Sequence, residues 1–250
     1  MIIKPYFLTV RQFKDGKYTE GGRSGYIRHQ QFATEPSNYV RAFEIIQKDL
    51  LTLFEFVEPS DKSLGTYSFR TFELLLRICT ELEANFKSML RANTYSKPGD
   101  LNIQDYYKVN KSHFLSKYEV ELPYWTGRGR VRRPFKAWAT SYHTLTWYKA
   151  YNDAKHDRAK NLSNASFENL IDAMCGLVVI LTAQFLANDF GPRPDVLVTE
   201  GPNDGFETAL GSYFRVKYPT NIPKKERYDF DWQTLQNDPS PFQKFDYDNV

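Results

Sequence analysis

Cysteine and histidine are scarce in this sequence, and the few present do not stand at the spacings of a metal site. Neither Cys79 nor Cys175 belongs to a CxxC pair, and no HExxH motif occurs. The four histidines are scattered: His29, His113, His143 and His156. Zinc sites draw their ligands from short, regular spacings, so the sequence predicts no metal site. Both cysteines fall in apolar helical patterns, which predicts buried free thiols in a reducing compartment.

Glycine-rich phosphate loops and an excess of one charge are also lacking. No glycine loop precedes a helix in the Walker or dinucleotide-binding pattern, and no GxSxG elbow is present. The sequence therefore gives no reason to expect nucleotide hydrolysis, hydride transfer or a bound cofactor. Lysine and arginine number 33 against 30 acidic residues, a net charge of +3. Any electrostatic reasoning about partners must therefore be local.

No hydrophobic run has the length of a membrane span. Residues 1–5 lack the charged and apolar regions of a signal peptide. The most apolar stretch, residues 173–181, is soon interrupted by Thr182 and Gln184, well short of the roughly 20 apolar residues that cross a bilayer. We expect a cytoplasmic protein that does not enter a membrane.

Helical periodicity dominates instead. After Pro36, apolar residues recur at spacings of three and four until Pro59, which predicts an amphipathic helix. A second helix is predicted over residues 66–91, a short one within 101–115, and a fourth from Leu145. Residues 167–185 are apolar nearly all round, which is typical of a helix wrapped by its neighbours. The second helix has a predicted apolar face of Phe69, Phe72, Leu76, Cys79, Leu82, Phe86 and Leu90.

These patterns predict a mainly α fold in one domain spanning residues 1–250. A helical bundle-like core is expected over 38–188, after an N-terminal β or loop segment, 1–34, in which 4–13 are extended and Tyr26 begins a return strand. The C-terminal extension, 189–250, contains strand candidates at 195–198 and 213–217, which we expect to pair with the N-terminal β element. Its tail from Tyr228 carries five Asp against one Lys, and the interspersed aromatics favour docking.

Two stretches concentrate charge. Residues 127–136 contain four arginines and a lysine among glycines, and Arg128, Arg130, Arg132 and Arg133 are candidate phosphate-binding residues. A solvated loop is the alternative. The second stretch, residues 147–158, reads WYKAYNDAKHDR, with Lys149 and Tyr151 as further candidate binding residues.

The second stretch, called the polar motif below, carries the candidate catalytic residues. Asn152 and His156 are four apart and share a helix face. Imidazole groups titrate near neutral pH, so His156 is the candidate acid or base. Lys155 or Arg158 would stabilise charge on a phosphoryl oxygen, while Asn152 would orient the reacting group. The alternative is a structural role, in which these residues hydrogen-bond to other helices and fix their register.

The polar motif, together with Trp138, the helix before residue 92 and the apolar helix that follows, resembles a group of bacterial proteins with HEPN-like helical cores. The resemblance covers roughly residues 66–188. It implies a helical bundle, a homodimer, and a setting in bacterial defence or stress response. Many HEPN proteins are metal-independent ribonucleases with an Arg-x4-6-His motif. His156 matches the motif histidine, but the arginine position holds Lys149, Ala150 or Tyr151.

The expected function is therefore that of an RNA-directed protein, a degenerate metal-independent ribonuclease whose ligand is RNA or another phosphate-bearing molecule. The alternative is a non-catalytic interaction or ligand-binding protein in which the polar motif is structural.

Overall fold

A computed structural model describes residues 2–17, 23–142, 145–188, 190 and 204–250. It is mainly α, as predicted. The helices in this part of the chain are α1 (Pro36–Phe54), α2 (Phe69–Ala92), α3 (Ile103–His113), α4 (Thr146–His156), α5 (Arg158–Asn161), α6 (Phe167–Phe185) and α7 (Trp232–Leu235). The strands are β1 (Glu119–Glu121), β2 (Val131–Arg132), β3 (Glu207–Thr208) and β4 (Arg215–Lys217).

Helix α6 forms the centre of the core. It packs against α2, α4 and α1, and the residues from Ala173 to Phe185 are all buried. Within the described residues α6 alone is long and apolar enough to cross a membrane, but 83% of its most apolar window is buried inside the protein. This burial is consistent with the core helix of a soluble protein. Cys79 on α2 and Cys175 on α6 are buried free thiols, as predicted.

Helix α2 begins directly after a capping serine, Ser68. The Ser68 hydroxyl accepts a hydrogen bond from the Thr71 amide at 3.1 Å, and the Thr71 hydroxyl accepts one from the Ser68 amide at 2.8 Å. This reciprocal pair satisfies two amides that would otherwise lack partners at the helix start. The capping fixes where Phe69 leaves the loop and enters the helix.

The four strands form one antiparallel sheet in the order β2-β1-β4-β3. Val120 pairs with Arg132 on one side and with Val216 on the other. The strand predicted at 213–217 is thus present as β4. Its partners are β1 and β3, and not the N-terminal segment. The candidate strand at 195–198 lies outside the described residues.

The predicted N-terminal return strand is wrong. Residues Gly25–Arg28 form a short 3-10 helix, and Tyr26 is buried with its ring edge-on to Phe13, Tyr228 and Phe230. Aromatic rings favour such edge-to-face contacts. Burying the ring therefore outweighs the extended preference of residues 26–27.

The acidic-aromatic tail docks on the N-terminal segment. Isolated parallel bridges join Tyr228 to Ile2 and to Phe13, and Gln243 to Tyr6. The fully buried Tyr228 hydroxyl donates to the Thr9 carbonyl at 2.8 Å. The two ends of the chain are therefore held together by single bridges and ring contacts, which replace the predicted sheet.

Candidate functional site

Helix α4 carries the polar motif and divides it into a buried and an open side. Trp147, Tyr148, Tyr151 and Ala154 are buried, and the Trp147 indole donates to the Pro134 carbonyl at 3.0 Å. These spacings of three and four follow the helical repeat, so residues on the opposite face turn outward. Asn152 is half-buried, and Lys155 and His156 are exposed.

The helix ends before Arg158. Asp157 leaves helical geometry at φ −140° and ψ 77° and caps the short α5, where its carboxylate accepts from the Lys160 amide at 3.3 Å. The Asn161 amide group donates to the carbonyls of Asp153 at 3.2 Å and Asp157 at 3.0 Å, which ties the corner together. If α4 continued past His156, Arg158 would lie on one of its faces. Because the chain bends at Asp157, Arg158 belongs to α5 instead.

The corner faces the start of α2 across an open groove of about 680 Å³. The lining residues are Phe69, Phe72, Lys155, His156, Asp157, Arg158, Ala159 and Leu162. The guanidinium carbon of Arg158 lies 5.4 Å from the ring centre of Phe69 and 5.9 Å from that of Phe72. The bend at Asp157 thus places Arg158 in the same groove as Lys155 and His156.

Positive charge in the groove is only partly neutralised. Within the described residues, neither His156 nor Arg158 has a carboxylate partner in an ion pair, while Asp157 pairs with Lys160 at 3.4 Å. The Lys155 ammonium donates to the Tyr151 hydroxyl at 3.1 Å. That hydrogen bond raises the pKa of Lys155, which keeps its side chain charged at neutral pH. The groove can therefore attract an anion.

The predicted catalytic set comes together only in part. Lys155, His156 and Arg158 share the groove, but Asn152 does not line it. In the part of the chain that the structure describes, the side chains of Asn152 and His156 have no hydrogen-bond partner. No neighbouring group therefore fixes the tautomer or the orientation of the imidazole.

The arginines of the 127–136 loop lie elsewhere and face carboxylates. Arg130 pairs with Glu121, and Arg133 pairs with Glu119 at 2.6 Å. Arg132 pairs with Asp172 at 3.4 Å. Arg128 is exposed, but it does not line the groove either. The structure therefore does not bring the four arginines predicted to bind phosphate to the polar motif, and β1 and α6 supply carboxylate partners for three of them.

Lys149 and Tyr151 are also separate from the groove lining. Lys149 pairs with Asp153 at 2.5 Å on its own helix, and Tyr151 is 2% exposed. Tyr151 acts indirectly, as the hydrogen-bond acceptor for Lys155.

The helical periodicity predicted that Phe69 and Phe72 lie on the buried face of α2, so their position in the groove was not predicted. Phe69 is 64% exposed, while the buried face of α2 runs through Leu75, Ile78 and Leu82. The difference is confined to the first two turns of α2, because Cys79, Leu82, Phe86 and Leu90 of the predicted face are buried as expected. The three adjacent leucines at 74–76 could have indicated this difference, because they allow the apolar face to pass through Leu74 and Leu75 instead of Leu76. The structure buries Leu74 and Leu75 and leaves Leu76 half-buried.

Among the described residues no three His, Cys, Asp or Glu side chains are grouped so as to hold a metal ion. Comparison with protein-family models, with curated proteins and with solved structures finds no match to this chain.

Proposed function

We propose that this chain is an RNA-directed protein with a HEPN-like helical core, acting in bacterial defence or stress response, and that the groove beside α4 is its RNA site. One observation supports the proposal above the others. Lys155, His156 and Arg158 line a single open groove, and among the described residues His156 and Arg158 have no carboxylate in an ion pair with them. Cationic side chains of this kind contact phosphates.

The proposed reaction is metal-independent cleavage of the RNA backbone. His156 accepts the proton of a ribose 2′-hydroxyl, and the 2′-oxygen forms a bond to phosphorus as the bond from phosphorus to the 5′-oxygen breaks. The leaving 5′-oxygen takes up a proton from the imidazolium or from water. Lys155 and Arg158 stabilise the negative charge on the phosphoryl oxygens. The products are a 2′,3′-cyclic phosphate and a free 5′-hydroxyl.

A second candidate function, RNA binding without cleavage, is favoured by a different observation. No hydrogen bond within the described residues orients His156, and Lys149 stands two turns upstream with its ammonium paired to Asp153. Because lysine lacks the planar fork of arginine, it would replace a motif arginine poorly. In this case the groove is a ligand-binding surface.

Cleavage and binding assays separate the two. We expect a labelled single-stranded RNA to be cleaved in the presence of a metal chelator by the native protein and not by His156→Ala. Fluorescence anisotropy should show that the His156→Ala protein still binds the RNA. Because His156 is exposed, this variant should melt at the temperature of the native protein. Binding with no cleavage by either protein would establish the second function.

The charge of the groove is tested by Lys155→Ala combined with Arg158→Ala. We expect this variant to bind RNA with a shallower salt dependence, the slope falling by about 0.7 for each phosphate contact that is lost. Lys149→Ala is the matched control, because it removes a lysine of the same helix that does not line the groove. Equal binding by all these proteins, or no RNA binding by the native one, would overturn the proposal.

The resemblance adds two further proposals. A homodimer would appear in light scattering as a mass of twice 29.3 kDa. A cytoplasmic location suits an RNA ligand and two buried free thiols, and cell fractionation tests it.

A further inference from the structure

The side chain of Phe69 is an exposed aromatic ring at the rim of the proposed RNA site. Phe69 is the first residue of α2 and is 64% exposed. Phe72, one turn further on, is half-buried and anchors the same wall of the groove. Single exposed apolar residues are common on protein surfaces, so the exposure of Phe69 matters only because of the cationic groups that share its groove.

Arg158 supplies the second feature. Its guanidinium lies 5.4 Å from the centre of the Phe69 ring and close to the Phe72 ring. A planar cation beside an exposed aromatic ring offers two flat surfaces to a flat ligand, and it offers hydrogen-bond donors to a phosphate. Lys155 and His156 lie in the same groove. The groove thus combines a stacking surface with a cationic one.

We infer that the ligand is single-stranded RNA, with one unpaired base stacked on Phe69 and the adjoining phosphates held by Arg158 and Lys155. The inference rests on the proposed function and adds the class of RNA. A base in a duplex is covered on both faces by its neighbours, so an aromatic side chain can stack only on a base that is unpaired and turned out. Sites for single strands join aromatic platforms to cationic grooves in this way.

Phe56 shows that exposure alone does not make such a site. It is 81% exposed, more than Phe69, yet it does not line the groove. Among the described residues, neither lysine nor arginine is stacked over its ring. Phe56 therefore provides a matched control: it is the same residue type, it is at least as accessible, and within the described residues no lysine or arginine is stacked over its ring.

The test uses three labelled probes of equal length: a single-stranded RNA, the same strand with abasic riboses, and an RNA duplex. Stacking of one base changes affinity by about fivefold to 150-fold. We expect the native protein to bind the single strand at least about fivefold more tightly than the other two probes. Phe69→Leu should reduce binding of the single strand to the abasic level and leave abasic binding unchanged. Phe56→Leu should change neither.

The possible outcomes distinguish this inference from the proposal beneath it. Equal binding of the single strand and the abasic strand, or full single-strand affinity in Phe69→Leu, would overturn the stacking inference. If the variant that combines Lys155→Ala and Arg158→Ala still shows the shallower salt dependence of RNA binding, the RNA site itself stands. If none of the probes binds, both fail. Thermal melting of Phe69→Leu checks the fold, and an unchanged melt is expected because the ring is exposed.

Discussion

The hydroxyl of Tyr148 donates a hydrogen bond to the carboxylate of Glu83 at 2.9 Å, and this bond links α2 to α4 at the first turn of the polar motif. Burial, with a further contribution from the Glu83 charge, raises the pKa of Tyr148, so the hydroxyl stays protonated as the donor. Glu83 thus contacts the helix that carries the polar motif, whereas Glu81 lies with Ile45 and Arg77 on the groove between α1 and α2.

The first prediction concerns this link. Replacing Tyr148 by Phe should lower the free energy of unfolding by about 1 kcal/mol, because a hydrogen bond to a charged group is lost but Glu83 remains partly hydrated. The Glu83 side chain is 19% exposed. Urea denaturation measures the change. Tyr124→Phe is the control, since Tyr124 is 74% exposed. Equal stability of the Tyr148→Phe and native proteins would show that the hydrogen bond contributes nothing net.

The second prediction concerns His113, which is buried where the two chain ends meet α3. Its Nε2 donates to the Leu8 carbonyl at 2.8 Å, and its Nδ1 accepts from the Ser112 hydroxyl at 2.7 Å. The Tyr247 hydroxyl donates to the same serine oxygen at 2.5 Å. Burial lowers the pKa of His113 from 6.5 to about 4. The chain of hydrogen bonds therefore holds a neutral imidazole.

The sign of the pH effect follows from that lowered pKa. Between about pH 6.5 and pH 4 the unfolded chain binds a proton at this histidine and the folded protein does not. Stability is therefore lost as the pH falls through this window, by on the order of 3 kcal/mol in full. His113→Gln should be less stable than the native protein near neutral pH, and this deficit should shrink towards about pH 4.

Urea denaturation at several pH values measures the deficit. His156→Gln is the control, because it makes the same replacement at an exposed histidine. A His113→Gln deficit that stayed constant across the window would mean that His113 titrates alike in the folded and unfolded chains.

The third prediction separates two arginines of the 127–136 loop. The Arg132 side chain is 11% exposed, lies over the Trp125 ring at 5.0 Å, and pairs with Asp172. The Arg133 side chain is 50% exposed and pairs with Glu119. Removing one member of a buried pair costs a few kcal/mol, whereas an exposed pair contributes about 1 kcal/mol or less. Arg132→Ala should therefore destabilise by more than about 2 kcal/mol, and Arg133→Ala by less than about 1 kcal/mol.

Asp172 provides a second measure of the same pair. Burial raises its pKa to about 6, and Arg132 opposes that rise. In Arg132→Ala the pKa of Asp172 should rise further, so the folded protein keeps a proton that the unfolded chain releases above about pH 4. The variant should therefore lose stability as the pH rises above that point. Equal effects of the two alanine substitutions in urea denaturation would contradict the assigned burial.

Periodicity located the main helices because a helix buries one face every few residues. Pro36 and Pro59 bracket α1, which ends at Phe54, and residues 167–185 match α6. The β structure was harder to foresee, because strands of two or three residues carry too few positions to show alternation. The pairing of β1 with β4 joins residues almost a hundred positions apart, and local pattern contains no information about such distant partners.

The sequence by itself determined the mainly helical fold, the central apolar helix and the chemical groups of the polar motif, since each follows from local composition and spacing. Only the tertiary structure decided which of those groups act together. The bend at Asp157 brought Arg158 to Lys155 and His156. The first turn of α2 left Phe69 exposed, and carboxylates on β1 and α6 paired with three of the loop arginines. The reason is physical. The ion pairing and the exposure of a side chain depend on its neighbours in space, and those neighbours are brought together only when the chain folds.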